Sequence, residues 1–279
     1  MHLLAAALYI TLSAKLWRSR WRAPKDGLVE SATAGLTVIE RVFLLAALLV
    51  HAFALQSDIF TSAAGNPVIR FGFAIALSFM LWLAIAFYWI ESFYARLEGL
   101  LLIGLPVAAL AALLPALFSG QHILVNAGSA AFRLHFLVAM LAYSLFTLAA
   151  LHALLMSAVE KNLHRGRRLS PLLSGLPPLL TMESLLFRVI HVAFILLTLT
   201  LISGIAFSEE LFGKALAFNH KTVFAILSWL IFAGLLLGRH LRGWRGRIAL
   251  RWTLSGFVAL LLAYVGSRFV IEIILGRAS

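Results

Sequence analysis

The chain has 279 residues, of which 62% are hydrophobic and only 12% charged, with a formal net charge of +12. A soluble domain carries roughly 25% charged residues, so this composition excludes a water-soluble enzyme and makes lipid the main solvent. The basic excess falls in short clusters between apolar runs, where topology signals and headgroup contacts place it, so it does not indicate nucleic acid.

Apolar runs recur along the whole length, most of them long enough to cross a hydrocarbon core of roughly 30 Å as a helix. The reading is an all-α polytopic transmembrane bundle of about eight helices in a single integral membrane domain. The first span, His2–Ala14, is short and ends at the basic stretch Lys15–Lys25; without a basic n-region or a clear cleavage site it reads as a helix, not a signal peptide. The second is Ala32–Leu55, followed by the polar loop QSDIFTSAAGNP. The third, Ile69–Ile90, turns through ESFYARLEG into the fourth, Leu100–Phe118, where Pro106 and Pro115 remove backbone donors and can bend the helix. A loop containing His122 leads to the fifth, Phe132–Ser157. The sixth is Glu183–Phe207, with Thr181 as its expected N-cap and Glu183 in its first turn. The seventh is His220–Leu237, and the basic GRHLRGWRGRIALR leads to the eighth, Trp252–Leu275. The first four spans form one half, 1–118, and the last four the other, 132–279.

Lysine and arginine concentrate on one side, in KLWRSRWRAPK, EKNLHRGRR and GRHLRGWRGRIALR. The other side holds only Arg70, Arg133, Lys214, Lys221 and Arg277, with Arg268 near it. By the positive-inside rule the first side is cytoplasmic and both termini lie outside, which is the periplasm in a Gram-negative inner membrane.

There is no P-loop, GxSxG or HExxH, and no GxGxxG after a strand. No span holds a pair of carboxylates, which argues against a proton or cation pump. There is no cysteine, which removes disulfides, thiolate sites and thioether haem attachment. Histidines within spans therefore carry the chemical interest. His51, His135 and His220 fall near one level close to the outer interface; His152 and His191 define a second, inner level. Imidazole is a common haem-iron ligand, and two from facing helices can clamp one iron. His135 shares a face with Ala139, Ala142, Phe146 and Ala149, which suits a flat macrocycle or a neighbouring helix. Trp82, Tyr88, Trp89, Trp229, Trp244 and Trp252 read as interfacial anchors.

From Phe132 onward four stretches carry a resemblance: HFLVAMLAYSLF, LPPLLTMESLLFRVIHVAFILLTLTLISG, HKTVFAILSWLIFAGLLLGRHLRGWRGRIAL and YVGSRFVIEIIL. In their order the chain resembles the cytochrome c assembly family of integral membrane proteins, the group containing CcsA and ResC, and within it the HemX/YpjD-like branch. The first four spans resemble that branch only in number, length and loop charge. The haem-delivery members carry a tryptophan-rich outer loop; here that place holds EELFGKALAFNHKTVF, and the outer histidine near their last helix is replaced by YVGSRF. The resemblance implies a haem-handling inner-membrane protein that lacks the delivery surface. It places a family histidine at His135 and a branch histidine at His220, and it leaves His51 and His191 unassigned. Depth and resemblance together give His135 and His220 as iron ligands, with His51 and His191 as further cofactor-binding candidates and with Arg133 and Lys221 beside the ligands as propionate partners or as snorkelling interfacial residues. Beside the haem reading stand a membrane scaffold or regulatory subunit, its partner another membrane protein, and a small-molecule transporter. Tetrapyrrole control by HemX-like members fits the scaffold reading.

Overall fold

A computed structural model of the chain describes residues 1–21, 35–63, 66–94, 99–118, 129–164, 178–212 and 220–274. Among them lie eight long helices: α1 (His2–Trp21), α2 (Val38–Ile59), α3 (Phe73–Glu91), α4 (Gly99–Leu117), α5 (Ala130–His164), α6 (Leu179–Phe212), α7 (His220–Arg242) and α8 (Gly246–Leu261). Past Leu261 the last helix widens into a π-turn (Leu262–Gly266), takes one α-turn (Ser267–Phe269) and widens again (Val270–Ile274). Seven helices are long and apolar enough to cross a membrane. The remaining one, α1, is apolar to Ala14 and then basic, and it packs between α2 and α4. The expected all-helical membrane bundle is what forms, for a plain reason: in lipid only a helix or a closed barrel satisfies its own backbone.

Boundaries differ from the sequence reading at informative places. The second span begins at Val38, where Thr37 and Glu40 form a capping box: the Glu40 amide donates to Thr37 Oγ1 at 3.2 Å, and the Thr37 amide to Glu40 Oε2 at 3.0 Å. The signal is the T-x-x-E spacing of Thr37-Val38-Ile39-Glu40. At the other end α2 runs to Ile59 and passes into a hairpin of β1 (Phe60–Ala63) and β2 (Asn66–Ile69), antiparallel with Phe60 opposite Ile69. That segment reads as loop from sequence because it is too short and polar to show a strand period. α6 begins at Leu179, so Thr181 lies inside the helix and is not its N-cap; the Thr181 and Met182 amides donate back to Pro178 O. α8 starts six residues before Trp252. α4 runs through both Pro106 and Pro115.

The helices alternate in direction. One end of the bundle carries the hairpin and the starts of α1, α3, α5 and α7; this is the hairpin end. The opposite end carries the α7–α8 turn and is called the clasp end. α5 is the central helix, packed most extensively on α6 and also on α3, α8 and α4, while α7 packs mainly on α8. The core is continuous through Tyr9, Tyr88, Phe146, Phe232 and Leu101, all of them buried.

The tryptophans tie helices together. Nε1 of Trp82 donates to Leu48 O, of Trp89 to Arg41 O and of Trp229 to Thr198 Oγ1. Trp244 and Trp252 pack against Gly238 and Gly234, and Tyr88 is buried. These rings hold neighbouring helices rather than forming an interfacial belt.

Candidate functional site

His135 lies in the second turn of α5, half-buried against α6. Its Nδ1 is 2.8 Å from Ser203 Oγ. The Ser203 hydroxyl donates its own proton to Thr200 O at 3.1 Å. When serine's one proton goes to Thr200, His135 donates from Nδ1 and Nε2 carries the free lone pair. Histidines that bind metal are oriented this way, one nitrogen donating to a protein group while the other ligates. Gly204 lies alongside the ring: a Cβ there would stand 3.4 Å from His135 Cε1, an ordinary contact. Ser203 thus orients the ring.

His220 is the first residue of α7 and is exposed. Two contacts set its depth relative to His135. Phe146 stacks on Phe232 with centroids 3.9 Å apart, and Trp229 donates to Thr198 at 2.9 Å. Counted from either contact at about 1.5 Å per residue, His220 falls within about one helical turn of His135 in depth. At the same end of the bundle lies an aromatic group: Phe71 packs edge-on against Phe136 at 4.6 Å and near Tyr264 at 6.2 Å, and the Tyr264 hydroxyl donates to Phe71 O. Lys221 Nζ sits 5.7 Å from the centre of the Tyr264 ring. Arg133 is exposed on the turn before His135. The α5 face of Ala139, Ala142, Phe146 and Ala149 is filled by neighbouring helices, with Phe146 against Phe232.

The other histidines stand elsewhere. His51 is fully buried in the N-terminal half. Its Nδ1 shares a hydrogen bond with the Tyr9 hydroxyl at 3.2 Å, and its Nε2 one with Ser78 Oγ at 2.9 Å. α2 extends to Ile59, which carries His51 eight residues in from the helix end, and both of its nitrogens are engaged by α1 and α3. His191 is exposed on α6, its Nδ1 donating to Phe187 O at 2.6 Å, so its bare Nε2 faces outward. His152 is fully buried on α5, and neither ring nitrogen has a hydrogen-bond partner among the described residues. His122 and Lys214 lie outside the described residues. No group of three or more potential metal ligands occurs among the described residues.

At the clasp end two of the four stretches that carried the resemblance meet. Glu183, buried in α6, pairs with Arg239 of α7, lies 3.6 Å from Arg245 and accepts the Gly246 amide at 3.3 Å. Its carboxylate therefore sits at the N-terminus of α8, not only in the first turns of its own helix. Arg239 also donates to Trp244 O and lies over the Phe187 ring at 4.5 Å. Gly243 (φ 63°) and Gly246 (φ 52°) supply left-handed turns, and Gly238 leaves room for the Trp244 ring. GWRGR is the turn chemistry of a helical hairpin closed by a buried carboxylate from a third helix. The sequence showed its spacing but not that Glu183 is its partner.

Residues 36–275 match the family described as Cytochrome C assembly protein. The inner membrane protein YpjD of Escherichia coli K12 is 33% identical over 140 residues, 50% of this chain and 52% of that protein. The cytochrome c biogenesis protein CcsA of Prochlorococcus marinus MIT 9303 is 36% identical over 110 residues, 39% of this chain and 33% of that protein. CcsA of Microcystis aeruginosa is 36% identical over 86 residues, 31% and 26% of the two chains. The chain spans about half the length, or less, of these relatives. No solved structure matches it. With most of its length matched, the chain belongs to the cytochrome c assembly protein family.

Proposed function

We propose that this member of the cytochrome c assembly family handles haem at the hairpin end of its bundle, in a bacterial inner membrane, with His135 as an iron ligand and His220 as the second. The observation that carries the reading is the hydrogen bond that seats His135 Nδ1 against Ser203 Oγ at 2.8 Å; with the proton on Nδ1, the Nε2 lone pair is left for iron. His220 supports it by depth and exposure. Arg133 and Lys221 each flank one of the two histidines in sequence and offer positive charge to propionates. His51 and His191 play no part in this site. Haem is the cargo in this reading: the iron chemistry is its own, and the chain's part is to bind, orient and release it. The hairpin end faces away from the cytoplasm on the distribution of Lys and Arg, so the termini are periplasmic.

The test is an optical titration of detergent-purified protein with haemin. Wild type is expected to give a saturable Soret band; His135→Ala abolishes it and His220→Ala weakens it. Ser203→Ala keeps the ring but frees the tautomer, and lowers affinity roughly 10-fold or more, as loss of an outer-shell partner does. A Soret band that survives the double histidine replacement would remove the proposal.

The scaffold reading retains one specific support. His191 places a polar ring on the outside of a membrane helix, where polar groups are costly unless a partner meets them. A photoreactive residue at 191 that captures one stoichiometric membrane protein, from haem-free material, would favour it.

A further inference from the structure

One face of α1 is taken up by packing: Ala5, Tyr9, Leu12 and Leu16 are buried in the core. The other face looks away from the bundle. There two ridges of i+4 neighbours, Ile10–Ala14–Arg18 and Thr11–Lys15–Ser19, run side by side with a groove along them. Toward the hairpin end the groove is apolar, with Ile10 54% exposed; toward the clasp end its own lining supplies two cations, Lys15 and Arg18. The change falls between Ala14 and Lys15. Trp17, 46% exposed, stands at the same level, where amphipathic rings mark the boundary between hydrocarbon and headgroups.

The polar groups of the groove differ in what they already hold. Lys15 Nζ lies 3.5 Å from Glu40 Oε1, and the same carboxylate accepts the Thr37 amide through Oε2. The hydroxyls of Thr11 and Ser19 donate to Ala7 O and Leu16 O of their own helix. Arg18 is exposed and has no acceptor among the described residues. Two cations against one carboxylate leave the groove positive, with Arg18 as its open donor. A guanidinium offers phosphate oxygens a fixed fork of N–H groups. The clasp end is the cytoplasmic end on the distribution of Lys and Arg, and anionic lipids give that leaflet its negative surface.

We infer that this groove seats one anionic phospholipid of the cytoplasmic leaflet, its phosphate on Arg18 with Lys15 beside it and one acyl chain laid along Ala14 and Ile10. From Arg18 to Ile10 is about 12 Å along the helix, enough for the upper part of a chain. The apolar track runs on to Leu4 and Leu3, which are 49% and 76% exposed. The inference stands independently of haem.

The test is native mass spectrometry of the full-length protein released from nanodiscs of equimolar phosphatidylglycerol and phosphatidylethanolamine. One retained lipid per chain is expected, with phosphatidylglycerol enriched several-fold. Arg18→Gln is expected to abolish the enrichment. Ala14→Trp fills the groove beside the cations and is expected to remove the retained lipid; Ile10→Trp does so one turn along, which keeps the test open should one variant fail to fold. Arg242→Gln takes away an exposed cation at the same end of the bundle but on α7, outside the groove, and is expected to change neither occupancy nor preference. Equal occupancy by the two headgroups in wild type, enrichment that survives Arg18→Gln, or retention unchanged in both tryptophan variants would each overturn the assignment. So would an equal loss from Arg242→Gln, which would reveal a general attraction to the basic surface in place of a seat on α1.

Discussion

Replacing Glu183 by alanine leaves Arg239, Arg245 and the Gly246 amide without their carboxylate. The size of the effect follows from burial. The Glu183 side chain is 8% exposed and that of Arg239 24%, so their pairing is largely enclosed; Arg245 is 64% exposed. Breaking an enclosed pair from one side costs about 3–5 kcal/mol, whereas an exposed partner contributes roughly 0–1 kcal/mol. Two considerations push toward the lower end. Arg239 keeps its bond to Trp244 O and its place over Phe187. In a membrane the unfolded reference state also finds polar partners. Glu183→Ala is therefore expected to cost about 3 kcal/mol, about two orders of magnitude in the folding equilibrium, and Arg245→Ala less than about 1 kcal/mol. Reversible unfolding by SDS in mixed micelles measures both, and the Glu183/Arg239 double-mutant cycle isolates their coupling. A coupling below about 0.5 kcal/mol, within the usual additivity error, would show that the clasp is only a surface arrangement.

Gly238→Ala places a Cβ 2.3 Å from Trp244 Cε3, so the ring must leave its seat; a loss of about 1–3 kcal/mol is expected from overpacking, read in the same assay, with Trp244 fluorescence shifted to the red. Gly243→Ala forces a side chain into a left-handed turn at φ 63° and should cost about 1–2 kcal/mol; Gly243→Asn should recover part of it. His51→Leu strands the Tyr9 and Ser78 hydroxyls in the core and should destabilise by about 1–3 kcal/mol. Adding Tyr9→Phe and Ser78→Ala should recover most of that, and no recovery would mean that packing, not hydrogen bonding, sets the cost.

How far the site could be read in advance varies residue by residue. His135 was legible because a histidine inside an apolar span is expensive and sits where the family's histidine does. The bond that seats its ring was not, since that comes from Ser203, far away in sequence. His51 looked like a member of the outer level because a polar stretch after Leu55 resembles a span end. The helix continues through that stretch to Ile59 and carries His51 inward to Tyr9 and Ser78. Glu183 looked like a helix-start acid because local spacing reports only local partners. The π-turns after Leu261 left no mark at all, for a π-turn has no residue signature in YVGSRF.

The amino-acid sequence by itself determined that this chain is a bundle of membrane helices, roughly where each begins and which family it joins. Those properties follow from apolar run length and short-range spacing, both of which are linear. Only the tertiary structure decided which serine seats the His135 imidazole and which carboxylate closes the α7–α8 turn. Each of those depends on two helices distant in the chain coming within a few ångströms, and no single run of residues encodes that meeting.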